Sequence, residues 1–254
     1  MNRNAAALVA LTGLVLLGPA QAGDPTRIAA AADLRFAMDE IVEHYQRQHP
    51  DDEIEVIYGS SGRFHSQIAN GAPYDLYFSA DIAYPESLHD SGFVHGDVIP
   101  YAIGRVVIWS NTVDAEQLRL SDLDDEGFRR VAIANPSHAP YGERAREALQ
   151  TAGTWEAVES RLVFGENISH ALQLIETGAA EVGIIALSLA RSPQVQAQGG
   201  YHLIDDDQHA PLLQGFVVTE HAADNEVAHR FAEFMDESKP REIMESYGFM
   251  HPDS

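Results

Sequence analysis

Four short stretches carry residue types that could do chemistry: "AAADLRF" (30–36), "YGSSGRFH" (58–65), "NPSHAPYGER" (135–144) and "ENISHAL" (166–172). Each combines small residues, hydroxyls or a proline with the start of a helical pattern. The first N–H groups of a helix have no partner within it, and the macrodipole adds roughly half a positive charge there. Such turns hold anions without a cationic side chain. In "YGSSGRFH" the two hydroxyls and the free N–H groups of a Gly-flanked turn could encircle an oxyanion, although Ser61 could also be a simple N-cap.

Asp33 runs against that chemistry. A carboxylate about 4 Å from an oxyanion is repelled by roughly 4 kcal/mol per unit charge at an effective dielectric near 20, whereas a hydrogen bond to a charged group returns about 1.5 to 3 kcal/mol. Three arrangements avoid the clash. Asp33 caps the helix at Leu34 or pairs with Arg35, Arg63 or another cation; it is protonated and donates to the ligand; or the ligand is a hard cation or an organic solute that Asp33 contacts directly. A cation would need further ligands, for which His65, His138, Tyr141, Glu143 and Glu166 are placed in or beside these turns. The histidines otherwise lack paired zinc spacing.

The elements that position these turns alternate along the chain. Strand patterns at 27–32, 53–58, 75–80, 101–109, 131–135, 161–165, 182–187 and 214–220 are separated by helical patterns, among them Leu34, Ala37, Met38, Ile41, Val42 and Tyr45 at helical spacing. This order predicts an α/β protein with mostly parallel sheets flanked by helices. Ligands of open α/β sheets sit beyond the carboxyl ends of strands, where all four turns fall. Two lobes are expected, one from 23–102 and 216–254 and the other from 103–215, with the ligand cleft between them.

Composition narrows the partners. The chain has 254 residues, 39 Asp and Glu against 16 Lys and Arg, and a formal charge of −23. That balance argues against nucleic acid or an anionic membrane surface. A small anion remains possible because charges beyond about 8 Å are screened. The absence of cysteine excludes disulfides, thiolate metal sites and a thiol nucleophile. Residues 1–22 have the pattern of a secretory signal, with Arg3, an apolar stretch from Ala5 to about Leu17, and a cleavage site after Ala22 in "AQA". A serine hydrolase using Ser60 or Ser61 would need a nucleophile elbow and a positioned base, and the sequence shows no sign of either.

The stretches "AAADLRFAMDEI", "SSGRFHSQIANGAPYDLYFSAD", "IANPSHAPYGERAREAL", "ENISHALQLIETGAAEVGII" and "YGFM" occur in an order and spacing that resembles the periplasmic molybdate-binding proteins of ABC importers. The resemblance covers essentially the whole mature chain. It implies a two-lobed, type II solute-binding fold with mixed sheets, no cofactor and no catalysis. The expected protein is a periplasmic monomer that hands molybdate or tungstate to an importer permease. It places oxyanion contacts at Ser61, Tyr141 and Ile168, through hydroxyl and main-chain N–H groups, and Asp33, Leu34 and Ser60 complete the expected ligand-binding set. The chain departs from the family pattern at Asp33, where Ser or Thr is usual, and at Ala186, where a Tyr is common, so a different ligand bound through Asp33 stays open. So does a sensory role without an importer.

Overall fold

A computed structural model describes residues 24–253. The expected signal segment lies outside the described residues. The elements in chain order are β1 (Thr26–Ala31), α1 (Arg35–Gln48), β2 (Ile54–Gly59), α2 (Ser61–Ala69), β3 (Leu76–Ser79), α3 (Ala83–Asp90), β4 (Val94–Gly104) and β5 (Val106–Ser110). They continue with β6 (Val131–Ala134), α4 (Pro140–Thr151), α5 (Trp155–Val158), β7 (Leu162–Gly165), α6 (Ile168–Glu176), β8 (Val182–Ala186), α7 (Leu187–Ala190) and α8 (Pro193–Gln196). The last are β9 (Gly200–Leu203), β10 (Leu212–Thr219), α9 (Glu226–Phe234) and α10 (Ser238–Ser246).

The strands form two five-stranded sheets, β2-β1-β3-β10-β4 and β7-β6-β8-β5-β9. In the first, β1 runs parallel to β2 and β3, while β10 is antiparallel to β3 and β4. In the second, β6 is parallel to β7 and β8, and β5 is antiparallel to β8 and β9. The sheets are thus mixed rather than mostly parallel. Parallel neighbours need a crossover connection, which the β-α-β runs supply, whereas β10 and β5 each arrive from the other sheet and pair antiparallel.

The chain passes from the first sheet to the second at Arg105, which splits the expected 101–109 strand into β4 and β5. β4 begins earlier than its apolar pattern suggests, because it is an edge strand whose outer positions are exposed and which tolerates Pro100. The return comes at Leu212, already paired with Gly104. The first sheet therefore takes up the strand a few residues before the expected boundary at 215–216.

Small residues in β1 let helices approach both of its faces. Ala29 packs with Phe64, Ile68 and Leu88 under α2 and α3, whereas Ile28 and Ala30 face Met38, Ile41 and Phe231 under α1 and α9. Helix α1 buries Ala37, Met38, Ile41 and Tyr45 and leaves Val42 half-buried, as its periodicity predicts. The second sheet has its own core around Trp109, Ile133, Leu149 and Ile184.

Helix α4 is set against the end of β6 by Gly142. A Cβ there would collide with the Ala134 carbonyl oxygen and lie 2.9 Å from the Asn135 carbonyl carbon. Both are backbone atoms that cannot rotate away. Gly142→Ala is therefore expected to lower stability by about 1–3 kcal/mol, read as a lower urea midpoint at unchanged slope.

Candidate functional site: a cleft where the two sheets meet

The four sequence-selected turns converge. Ala31, Ala32, Asp33, Gly59, Ser60, Ser61 and Ala80 come from the first sheet, and Ala139, Pro140, Tyr141 and Ile168 from the second. Together they line a partly open cavity of about 10 Å³, about the space that one water requires. A larger guest needs the two walls to move apart.

Each wall is built from helix starts. Ser60 is the extended N-cap of α2, Pro140 opens α4, and Asn167 caps α6 by accepting from the His170 N–H at 2.9 Å. Ser61 and Ile168 are the first residues of their helices and Tyr141 the second. Among the described residues, none accepts a hydrogen bond from the N–H of Ser61, Tyr141 or Ile168. The Ser61 hydroxyl accepts from the Ala80 N–H at 3.0 Å, which leaves its own proton to donate. These are donors suited to an oxyanion, aimed from opposite sheets.

Two expected contacts are placed otherwise. Leu34 has its side chain in the core with Met38 and Phe231, and it does not line the cavity. Ser60 lines the cavity, but its hydroxyl is hydrogen-bonded to His138 Nδ1 of the opposite wall at 2.9 Å. A base thus stands beside Ser60, contrary to the expectation from sequence. Burial, with nearby Arg63 adding to it, holds His138 below the usual imidazole range. No described residue hydrogen-bonds its other ring nitrogen, so the third group that orients a catalytic base is missing.

The side chain of Asp33 is 1% exposed. Its Oδ2 accepts from the Tyr141 hydroxyl at 2.9 Å and from Gln214 Nε2 at 2.8 Å, while its buried Oδ1 has no partner. Among the described residues no cation pairs with Asp33 and no side-chain cap bond is formed, although the main-chain N–H groups of Asp33 and Leu34 are close enough to favour the ionised carboxyl. Neither Ala31 nor Leu34, the N-caps here, has a side-chain cap, and Asp33 contributes none. Arg63 instead pairs with Glu166 across the cleft mouth. Nor do the candidate metal ligands gather: His65 contacts Ser87, Glu143 pairs with Arg146, and no group of three or more His, Asp or Glu among the described residues could hold a metal ion.

Sequence reasoning missed Gln214, a fully buried amide within the apolar strand β10. Its Oε1 accepts from the Tyr101 hydroxyl at 2.6 Å, so Tyr101, Gln214, Asp33 and Tyr141 form one chain of hydrogen bonds. A lone amide in an otherwise apolar strand was the available signal. The hydroxyls of Ser169 and Ser188 also cross between the walls, to the carbonyls of Ala32 and Asp33, each at 2.8 Å. Gly104 lies where the chain crosses between the sheets, and a Cβ there would collide with the Tyr141 hydroxyl. Ala186 is buried and does not line the cavity.

Burial raises the Asp33 carboxyl to about 6 from an ordinary 3.8; the hydrogen bonds from Gln214, Tyr141 and the nearby main chain only partly oppose it. The folded state therefore holds this proton more tightly than the unfolded state. Its stabilising effect is complete below pH about 3.8 and is lost as the pH rises through about 6. The difference in stability between Asp33→Asn and the wild type is expected to grow in favour of the variant by about 2.4 kcal/mol from pH 4 to pH 7.5. Urea unfolding at both pH values measures it, and any constant offset from the amide cancels.

Residues 26–250 match the family of bacterial extracellular solute-binding proteins. The chain is 31% identical to the molybdate-binding protein ModA of Azotobacter vinelandii over 98% of this chain and 99% of that protein. It is 32% identical to ModA of Rhodobacter capsulatus over 98% and 96% of the two chains. The solved structure of the periplasmic molybdate-binding protein of Azotobacter vinelandii superposes with a TM-score of 0.82 at 29% identity, covering 89% of this chain and 99% of that one. Two mixed sheets flanked by helices, with helix starts facing each other across a cleft, are the type II solute-binding architecture. The chain belongs to the bacterial extracellular solute-binding protein family.

Proposed function

We propose that this protein captures molybdate or tungstate outside the cytoplasm and delivers it unchanged to the permease of an ABC importer. The reading rests on one observation above others. The N–H groups of Ser61, Tyr141 and Ile168 and the hydroxyl of Ser61 converge from both walls without an acceptor of their own. The names of the Azotobacter and Rhodobacter relatives support molybdate as the anion. Export with cleavage after Ala22 and a monomeric state belong to the same proposal.

The mechanism is closure of two lobes, 23–102 with 216–254 against 103–215, about the two places where the chain crosses between the sheets. Oxyanion contacts from both walls stabilise the shut form over the open one. In this reading Asp33, Ser60 and Ser61 act from the first wall and Tyr141 and Ile168 from the opposite one. The role requires no turnover, so no catalytic residue is assigned.

Thermal unfolding of the mature protein with molybdate, tungstate, sulfate, phosphate or ferric ion tests this. At a hundred times its dissociation constant a ligand adds about 2.7 kcal/mol, which raises the midpoint by roughly 5 to 11 °C. Molybdate and tungstate are expected to do so, and a response to ferric ion alone would refute the proposal. Ser61→Ala is expected to weaken molybdate binding roughly 10- to 150-fold, the loss of one hydrogen bond to a charged group.

A further inference from the structure

The proposed oxyanion site contains an acid where a donor is needed, and the arrangement of that acid is specific. Oδ2 of Asp33 is taken by two donors, Tyr141 and Gln214, from two different elements. Oδ1 is buried, without a partner, on a residue that lines the cavity. With two hydrogen bonds already arriving at Oδ2, a proton on this carboxyl belongs on Oδ1. From there it can be donated to a guest held by the Ser61, Tyr141 and Ile168 amides.

We propose that Asp33 is the specificity-determining residue of the cleft: it holds its oxyanion through a single proton shared between Oδ1 and a ligand oxygen. A fully deprotonated dianion such as molybdate then enters with one proton taken from solvent, which ends on Oδ1. An anion that carries its own proton, such as hydrogen phosphate, brings it along and leaves the carboxylate ionised.

The surroundings of Asp33 favour the shared proton over an ion pair. From α4 the Tyr141 hydroxyl faces it, from β4 Tyr101 stands one link away, and burial keeps both phenols well above their ordinary range and hence neutral. From β10 comes the uncharged Gln214, from α7 the Ser188 hydroxyl, from α6 the Ser169 hydroxyl on the neighbouring carbonyl, and from α2 the hydroxyls of Ser60 and Ser61. The charged pair Arg63 and Glu166 lies at the mouth, and His138 is turned to Ser60. No charged partner is among the causes that set the carboxyl's affinity for its proton; burial dominates. Neutral donors on Oδ2 hold the carboxyl in place without fixing its charge, and the guest's own basicity becomes part of the selection. A more basic oxyanion competes better for the shared proton than sulfate does.

The inference rests on the oxyanion reading, and its test separates the two. Titration calorimetry of the full mature protein with molybdate, in two buffers of different ionisation enthalpy at each pH, counts protons. At pH 8 the wild type is expected to take up close to one proton per molybdate, with Kd rising about tenfold per pH unit above pH 7. Asp33→Ser is expected to bind molybdate more tightly than the wild type at pH 8, with no uptake and a flat profile. Asp33→Asn, of the same shape, gives the same comparison if the serine variant does not fold. Phosphate binding to the wild type without proton uptake, and lost in Asp33→Ser, also supports the shared proton, with the ligand as its source.

Molybdate binding to the wild type without proton uptake overturns the inference and leaves the oxyanion reading intact. So does uptake that persists in both variants. If neither the wild type nor either variant binds molybdate, tungstate or phosphate between pH 5 and 8, the oxyanion reading fails and the inference falls with it.

Discussion

The carboxyl of Asp33 sits where the two sheets meet, and the closed arrangement depends on how that one buried acid is satisfied. Its Oδ2 draws the Tyr141 hydroxyl from the second wall and Gln214 from the returning strand. An ionised carboxylate so deeply buried is costly unless it is paired, and here no cation reaches it. The neutral donors and the raised affinity for a proton are two consequences of the same burial. Gly104 has no side chain because the Tyr141 hydroxyl and the Gln214 amide occupy that space.

Around this point the walls are joined by hydrogen bonds of modest individual strength. The Gly62 N–H donates to the His138 carbonyl, Ser60 meets the His138 ring, and Ser169 and Ser188 reach carbonyls of the facing turn. The ion pair at the mouth adds little to this, since Arg63 and Glu166 are half-exposed, while the more buried Arg144 reaches Asp81 at 3.4 Å. Each buried hydrogen bond contributes about 1 kcal/mol, so the set leaves open and shut forms within reach of a ligand's binding energy. Such a balance suits a receptor that must also release its cargo.

Much of the scaffold was legible in the chain. The periodicity of α1, the small-residue run of β1 and the Gly- and Pro-marked helix starts each follow from local rules, and the four turns chosen for their chemistry do meet. The misreadings share a cause. Strand β4 extends beyond its apolar pattern because an edge strand need not alternate, and β9 carries no strand pattern because Gly200–Leu203 is short and half-buried throughout. The antiparallel direction of β10 was hidden because local pattern carries no information about which way a returning strand runs.

The amino-acid sequence by itself determined the class of fold, the exclusion of thiol chemistry and the positions of the anion-friendly helix starts. These depend on residue type and on neighbours within a turn or two. The partners of Asp33 were decided only in three dimensions. Arg35 is two residues away in sequence and Arg63 lies in the first turn of the next helix, yet Asp33 is held by Tyr141 and Gln214, more than a hundred residues away. Local charge suggested a cap or an ion pair, but packing two sheets against each other removed water from the site. Once water is gone, the geometry of whichever donors the fold delivers, rather than proximity along the chain, settles what a buried acid can do.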